Sequence, residues 1–284
     1  DGRGFRIIGL NADATKADEA SSGIFGTLAG TVKDLRVYAS KFFGGDNAGV
    51  IAAEVAGNGK ITGVTTFGNR VEAEHAGGIA GTNAGTIESS AASDSVITNG
   101  GTAGGIAGTN TGTGTIGAME GTFVTAESAV TSGANGAAAI GGVVGKNEGK
   151  VNLANSLGVT NGEGVANVGG IAGDNSGTMY SLYNESVVTG KHNVGGVAGT
   201  NSGNITNAVN TTGITATGDY AGGLAGVNSG TITNAHNTGD ISASEAEYVG
   251  GITGVNEKDA VLENAGNSGN VFGGSHVGGV AAVN

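Results

Sequence analysis

The side chains able to do acid–base or metal chemistry are few in this sequence and poorly placed for it. There are four histidines, His75, His192, His236 and His276, and no cysteine. A metal site needs several such ligands converging on one point. His75 and His276 hold the same place in a recurring phrase, three residues before its second glycine, but seven recurrences apart. If each recurrence is one rung of a stack, about 4.8 Å per rung puts them more than ~30 Å apart, too far to share an ion. No histidine–serine–acid set and no close carboxylate pair recurs at a fixed spacing. The sequence therefore predicts no catalytic residue, no metal and no cofactor.

Contact chemistry is the better prospect. Tyr220, Tyr248 and His276 fall at that same place in three successive recurrences, after Asn167 and Asn193 in the two before. One rung apart, they form an outward stack with neighbours about 5 Å from each other. Such a stack could pack on a sugar ring, although mutual stacking on a sheet face is the preferred reading. There is no Trp and only 4% aromatic residues, so an extended glycan-binding groove is not expected. Phe123 is a further contact candidate, inside an irregular step of the repeat.

The element that must position these residues is the repeat itself. Gly-Gly-Ile-Ala-Gly-Thr-Asn at 77–83 returns from Gly104, Gly141, Gly169, Gly195, Gly222 and Gly250, and in degraded form from Gly278. Looser copies begin at Gly23 and Gly49. Successive steps are 26, 29, 27, 37, 28, 26, 27, 28 and 28 residues. A fixed period in this range indicates a solenoid, propeller or array. Each unit holds three β-like runs, centred on Ile205, Ile214 and Leu224 in one unit and on Ile232, Ile241 and Ile252 in the next. That is roughly nine residues per side, and a propeller blade needs about 40 residues for its four strands. We expect an all-β fold: a right-handed parallel β-solenoid (β-helix) with three faces and about ten coils of ~27 residues. It forms a single domain over 1–284, with divergent coils at 1–76, regular coils at 77–284 and a loop insertion near 117–137 that includes Met119, Glu120 and Phe123.

Composition supports this and removes other classes. Sixty glycines without a three-residue period, and no proline, exclude collagen. Proline has no N–H to give a strand ladder, so a chain paired on both sides avoids it. A net charge of −12 with scattered lysines and arginines excludes a nucleic-acid surface. No apolar run is long enough to span a bilayer, and no signal peptide opens the sequence.

Register predicts three inward ladders. The first is Ile79, Ile106, Val143, Ile171, Val197, Leu224, Ile252 and Val280. The second is Ile87, Val151, Met179, Ile205, Ile232 and Leu262. The third is Val159, Val187 or Val188, Ile214, Ile241 and Val271. Asn83, Asn110, Asn147, Asn175, Asn201, Asn228 and Asn256 recur at one corner, where a short amide tolerates a left-handed bend and bonds its equivalents above and below. Asn184, Asn210, Asn237 and Asn267 repeat elsewhere. Both rows are read as structural. An ice-binding threonine lattice is not expected, because the row of Thr82, Thr109 and Thr200 is broken by Lys146, Asp174, Val227 and Val255.

The segments Gly-Gly-Ile-Ala-Gly-Asp-Asn-Ser-Gly-Thr (169–178) and Gly-Gly-Leu-Ala-Gly-Val-Asn-Ser-Gly-Thr-Ile (222–232) resemble the GLUG repeat. Residues 1–10, 23–32 and Leu35 resemble the lead-in coil of such arrays. GLUG repeats are known from large bacterial surface proteins, among them filamentous-haemagglutinin-like adhesins and the non-catalytic parts of immunoglobulin A peptidases. The resemblance spans nearly the whole chain and implies a secreted, non-enzymatic stalk or fibre-forming module on a bacterial cell surface. Its partners would be a host or cell-surface protein or glycan, or further copies joined end to end in filaments. No His-Glu-x-x-His motif is present, so peptidase activity is not carried over. The alternatives are a polysaccharide-acting β-helix enzyme or a glycan-binding module. The uncapped first coil and the final phrase cut off in mid-repeat suggest a segment of a longer chain.

Overall fold

The computed structural model describes every residue except 16–19, 119, 121–122 and 134–135. Among the described residues there is no helix. The chain winds as a parallel β-solenoid, and one of its sheets stacks ten parallel strands, one from each turn. A representative circuit runs through Asn193–Gly195, Ala198–Asn201, Asn204–Asn210 and Ile214–Ala216. The next circuit, Tyr220–Gly222, Ala225–Asn228, Thr231–Asn237 and Ile241–Ala243, lies on it in register. Asn193 pairs with Tyr220, Ala198 with Ala225, Ile205 with Ile232 and Ile214 with Ile241.

Two of the three runs are folded rather than straight. Leu224 sits in a bend between the strands Tyr220–Gly222 and Ala225–Asn228. The seven-residue strand Asn204–Asn210 turns at Asn207, whose φ is 55°. The same left-handed corner recurs at Asp34, Gly63, Ser89, Leu153, Ser181, Asn234 and Asn264, with φ between 44° and 65°. A side chain there costs about 1–2 kcal/mol, least for Asn, and Asn holds the corner in three of the last four of these coils. The left-handed bend thus belongs to this row and not to Asn83–Asn256, whose residues are absent from the positive-φ set. That expectation is corrected: the ladder amides stay in extended backbone, where identical residues stack directly.

The first predicted ladder is fully buried from Ile79 to Ile252, and Val280 in the last coil is exposed. The second is buried at Ile87, Val151, Met179, Ile205 and Ile232, with Leu262 partly covered, and strand pairing adds Ile61 and Ile116 to it, both buried. The third needs correction at Val159. Val159 pairs with Val187, and both point outward, 49% and 51% exposed. The inward row is Val130, Thr160, Val188, Ile214, Ile241 and Val271. Strand side chains alternate, so a one-residue slip exchanges inside for outside. Thr160 is the irregular member: fully buried between two valines, with an unpartnered hydroxyl. Thr160→Val should therefore raise the thermal midpoint, by the equivalent of about 1–2 kcal/mol, as read by circular dichroism melting.

The 37-residue step is spread over three places. Asn83 to Thr86 in one coil matches Asn110 to Thr115 in the next, which adds two residues. Ile87 to Ala91 matches Ile116 to Thr125, adding five, and Thr98 to Thr102 matches Ser132 to Ala139, adding three. Two of the ten extra residues thus precede the expected 117–137. Within it, Phe123 meets the Tyr183 ring edge-on at 6.1 Å, Glu120 is exposed, and Met119 lies outside the described residues.

Candidate functional site

The asparagine row lies inside the solenoid wall and forms one continuous chain of amide hydrogen bonds. Each Nδ2 donates to the Oδ1 one coil on: Asn83 to Asn110, Asn110 to Asn147, Asn147 to Asn175, Asn175 to Asn201, Asn201 to Asn228, Asn228 to Asn256 and Asn256 to Asn284, all at 2.7–2.8 Å. A primary amide carries both donors and an acceptor, so identical residues can continue such a chain from coil to coil. The second Nδ2 hydrogen reaches a nearby backbone carbonyl, as Asn228 does to Gly230. The ladder begins at Asn83 because Val55 occupies the place below it, and Asn83 Oδ1 is left without a donor. A second row links Asn184, Asn210, Asn237 and Asn267 in the same sense at 2.7–2.8 Å. Buried from Asn83 to Asn256 and from Asn184 to Asn237, these amides are unavailable to a ligand.

The outer surface offers a different arrangement, created by the Gly-Gly bend. Side chains seven residues apart, one on each side of the bend, project into a common groove along the axis. Asn47 Nδ2 donates to Glu54 at 3.3 Å, the hydroxyls of Thr102 and Thr109 lie 3.0 Å apart, and Asn167 Nδ2 donates to Asp174 at 2.6 Å. Rungs are tied along the axis as well: His75 Nδ1 lies 2.9 Å from the Thr102 hydroxyl, Asn193 donates to Asn167 at 2.6 Å, and Thr200 donates to Asp174 at 2.6 Å. Burial holds the Asp174 carboxyl above its ordinary pKa, against the opposing pull of these donors and of Lys146. Across most of its length the groove is closed by its own polar side chains.

At Tyr220 the lining changes. The wall that held Asn167 and Asn193 now holds Tyr220, Tyr248 and His276, and the facing wall holds Val227, Val255 and Val283. A cavity of about 290 Å³ opens here, bounded by Asn193, Thr200, Tyr220, Val227, Val255 and Glu257. The expected aromatic stack is present: ring centroids are 5.5 Å apart for Tyr220–Tyr248 and 4.8 Å for Tyr248–His276, with interplanar angles of 19° and 14°. Sequence reading met Val227 and Val255 only as breaks in a threonine row and missed that they face the tyrosines. The seven-residue separation that identifies this wall was visible, but only the Gly-Gly bend turns that separation into an opposition.

This geometry bears on the sugar-platform idea. Both faces of the Tyr248 ring are covered by neighbouring rings, so it presents edges to the groove and no flat face on which a pyranose could lie. Phe123 is far from this set in the fold and packs against Tyr183 instead. Of the remaining histidines, His192 pairs with Asp219 at 2.9 Å and His236 lies 3.4 Å from the Ser268 hydroxyl. Among the described residues no three His, Cys, Asp or Glu side chains are grouped as a metal would need.

One buried acid stands apart from the groove. Asp94 lies within the wall of the early coils and accepts hydrogen bonds from Thr66 Oγ1 (2.6 Å), Asn69 N (2.9 Å) and Asn69 Nδ2 (2.8 Å). Burial pushes its pKa from 3.8 up to about 6, outweighing the three donors. Folding thus favours the protonated acid. That contribution is complete below the unfolded pKa and is lost as pH rises through about 6, a change of about 3 kcal/mol. Asp94→Asn keeps both the acceptor for Asn69 and a polar group beside Thr66. It should melt higher than the parent at pH 7.5, and the gap should close as the pH falls to 4; paired melting curves across that range check this.

Comparison with protein-family models, with curated proteins and with solved structures finds no match to this chain.

Proposed function

We propose that this chain is a non-enzymatic structural and adhesive module of a bacterial surface protein: a stiff, extracellular rod that carries a contact surface. The observation that carries the reading is the unbroken amide chain from Asn83 to Asn284, a spine running through eight coils in step with the apolar ladders. Stacked coils of this kind gain stability from each nearest-neighbour interface, so the rod lengthens without a larger core. Such a body suits holding a partner-binding region away from a cell or building a fibre. The GLUG-like phrases at 169–178 and 222–232 agree with that use and with export. Host or cell-surface proteins are the partners this reading favours.

Immunogold electron microscopy of intact producing cells, with antibody raised against the folded chain, tests the placement. Label on the outer surface is the expected result. Label confined to the cytosol of sectioned cells would reject it. Small-angle scattering from the purified chain should give an elongated particle; a compact sphere would contradict the rod.

A further inference from the structure

We infer that the open stretch of the Gly-Gly groove, from Tyr220 to Val255, is a docking site for an extended, basic polypeptide segment. This rests on the adhesive reading for its biological meaning, while the binding itself can be tested independently. Side-chain hydrogen bonds cross the groove at Asn47–Glu54, Thr102–Thr109 and Asn167–Asp174, and none crosses it where Tyr220 faces Val227 and Tyr248 faces Val255. The floor there is made of ring edges and methyl groups, which receive aliphatic side chains. Of its polar lining, Asn193 and Thr200 already donate to Asn167 and Asp174, which leaves few convergent hydrogen-bonding groups free for a sugar.

The rim supplies the charge. Glu257 lines the cavity, and the exposed Glu247 precedes Tyr248 on the opposite wall. Asp219 precedes Tyr220 and is only partly engaged, by an exposed contact to His192. Asp219, Glu247 and Glu257 outnumber Lys258, which follows Glu257, so the groove is apolar at its base and net anionic at its lips, on a chain of net charge −12. A segment alternating lysine or arginine with valine, leucine or isoleucine satisfies both features: its apolar residues enter between Tyr248 and Val255, and its cations reach Glu247 and Glu257. Acidic ligands and nucleic acid are repelled by the same carboxylates.

The test is a fluorescence-anisotropy titration of the full chain with a labelled peptide of alternating lysine and valine. Comparison probes are a glutamate–valine peptide and a serine–valine peptide of equal length, and a labelled β-linked oligosaccharide. Saturable binding of the lysine peptide alone is expected, weakening as salt rises from 50 to 500 mM. Glu247→Gln combined with Glu257→Gln, both at exposed positions, should weaken binding about tenfold with an unchanged melting curve. Val255→Ser should weaken it further, whereas Glu185→Gln, on another face, should leave it intact. Equal binding of the glutamate peptide, binding of the oligosaccharide alone, no saturable binding, or indifference to the double substitution each overturns the assignment. None of these results would move the immunogold label, so the two proposals fail separately.

Discussion

Replacing Asn201 by leucine should destabilise the solenoid by about 2–6 kcal/mol, one of the largest effects available to a single substitution here. Asn201 accepts from Asn175 at 2.7 Å and donates to Asn228 at 2.7 Å. Leucine has similar bulk but neither group. Asn175 Nδ2 is then left with only a long contact to Gly177 O at 3.4 Å, and the buried Asn228 Oδ1 loses its Asn201 donor. Each orphaned group costs about 1–3 kcal/mol, more than the bond itself contributed. Asn83→Leu supplies the internal comparison. Asn83 Oδ1 is already unpartnered, so its removal orphans only Asn110 and relieves an existing defect. The loss at Asn83 should be less than half that at Asn201. Melting by circular dichroism gives both values, and hydrogen exchange should show the Asn201 damage centred on the coils around it, because each coil touches only its neighbours. Equal losses at the two positions would argue that the amides act singly and not as a chain.

Gly195→Ala should be more severe, above about 4 kcal/mol, and is expected to unfold the coils around it. A Cβ at Gly195 would run into the carbonyl oxygen of Ala198 and lie 2.7 Å from the Cα of Ala225 in the next coil. Both obstacles are backbone, so no rotamer change makes room; the coils would have to separate and give up their ladder. At Gly213 the nearest atom to an added Cβ is Asp240 O at 3.6 Å, an ordinary contact. Gly213→Ala should then fall within about 1 kcal/mol of the parent, with the reduced freedom of the unfolded chain in its favour. A comparable loss at both glycines would mean that general glycine content matters and the tight Gly-Gly bend does not. Expression of each variant as soluble protein, followed by thermal melting, separates these outcomes.

The winding, the period and most of the core were set by the sequence, because a solenoid places like on like. Once the glycines of 78, 105, 142 and later phrases are aligned, the stacking of Ile79 on Ile106 and of Asn83 on Asn110 follows from identity alone. The failures came where identity gave no guidance. Val159 and Thr160 are adjacent, and only the pairing of Thr160 with Val130 and Val188 decides which of them faces inward. The left-handed corner went to Asn207, Asn234 and Leu153 and not to the ladder amides, since φ depends on where the coil turns and not on which residue repeats. The groove shows the limit most clearly. Sequence placed Tyr220, Tyr248 and His276 in a column, but their facing valines, the covering of the ring faces and the anionic lips depend on two strands closing over a Gly-Gly bend. Like-on-like stacking is fixed by a one-dimensional repeat; opposition across a bend is a property of three-dimensional packing, and only the folded chain decides it.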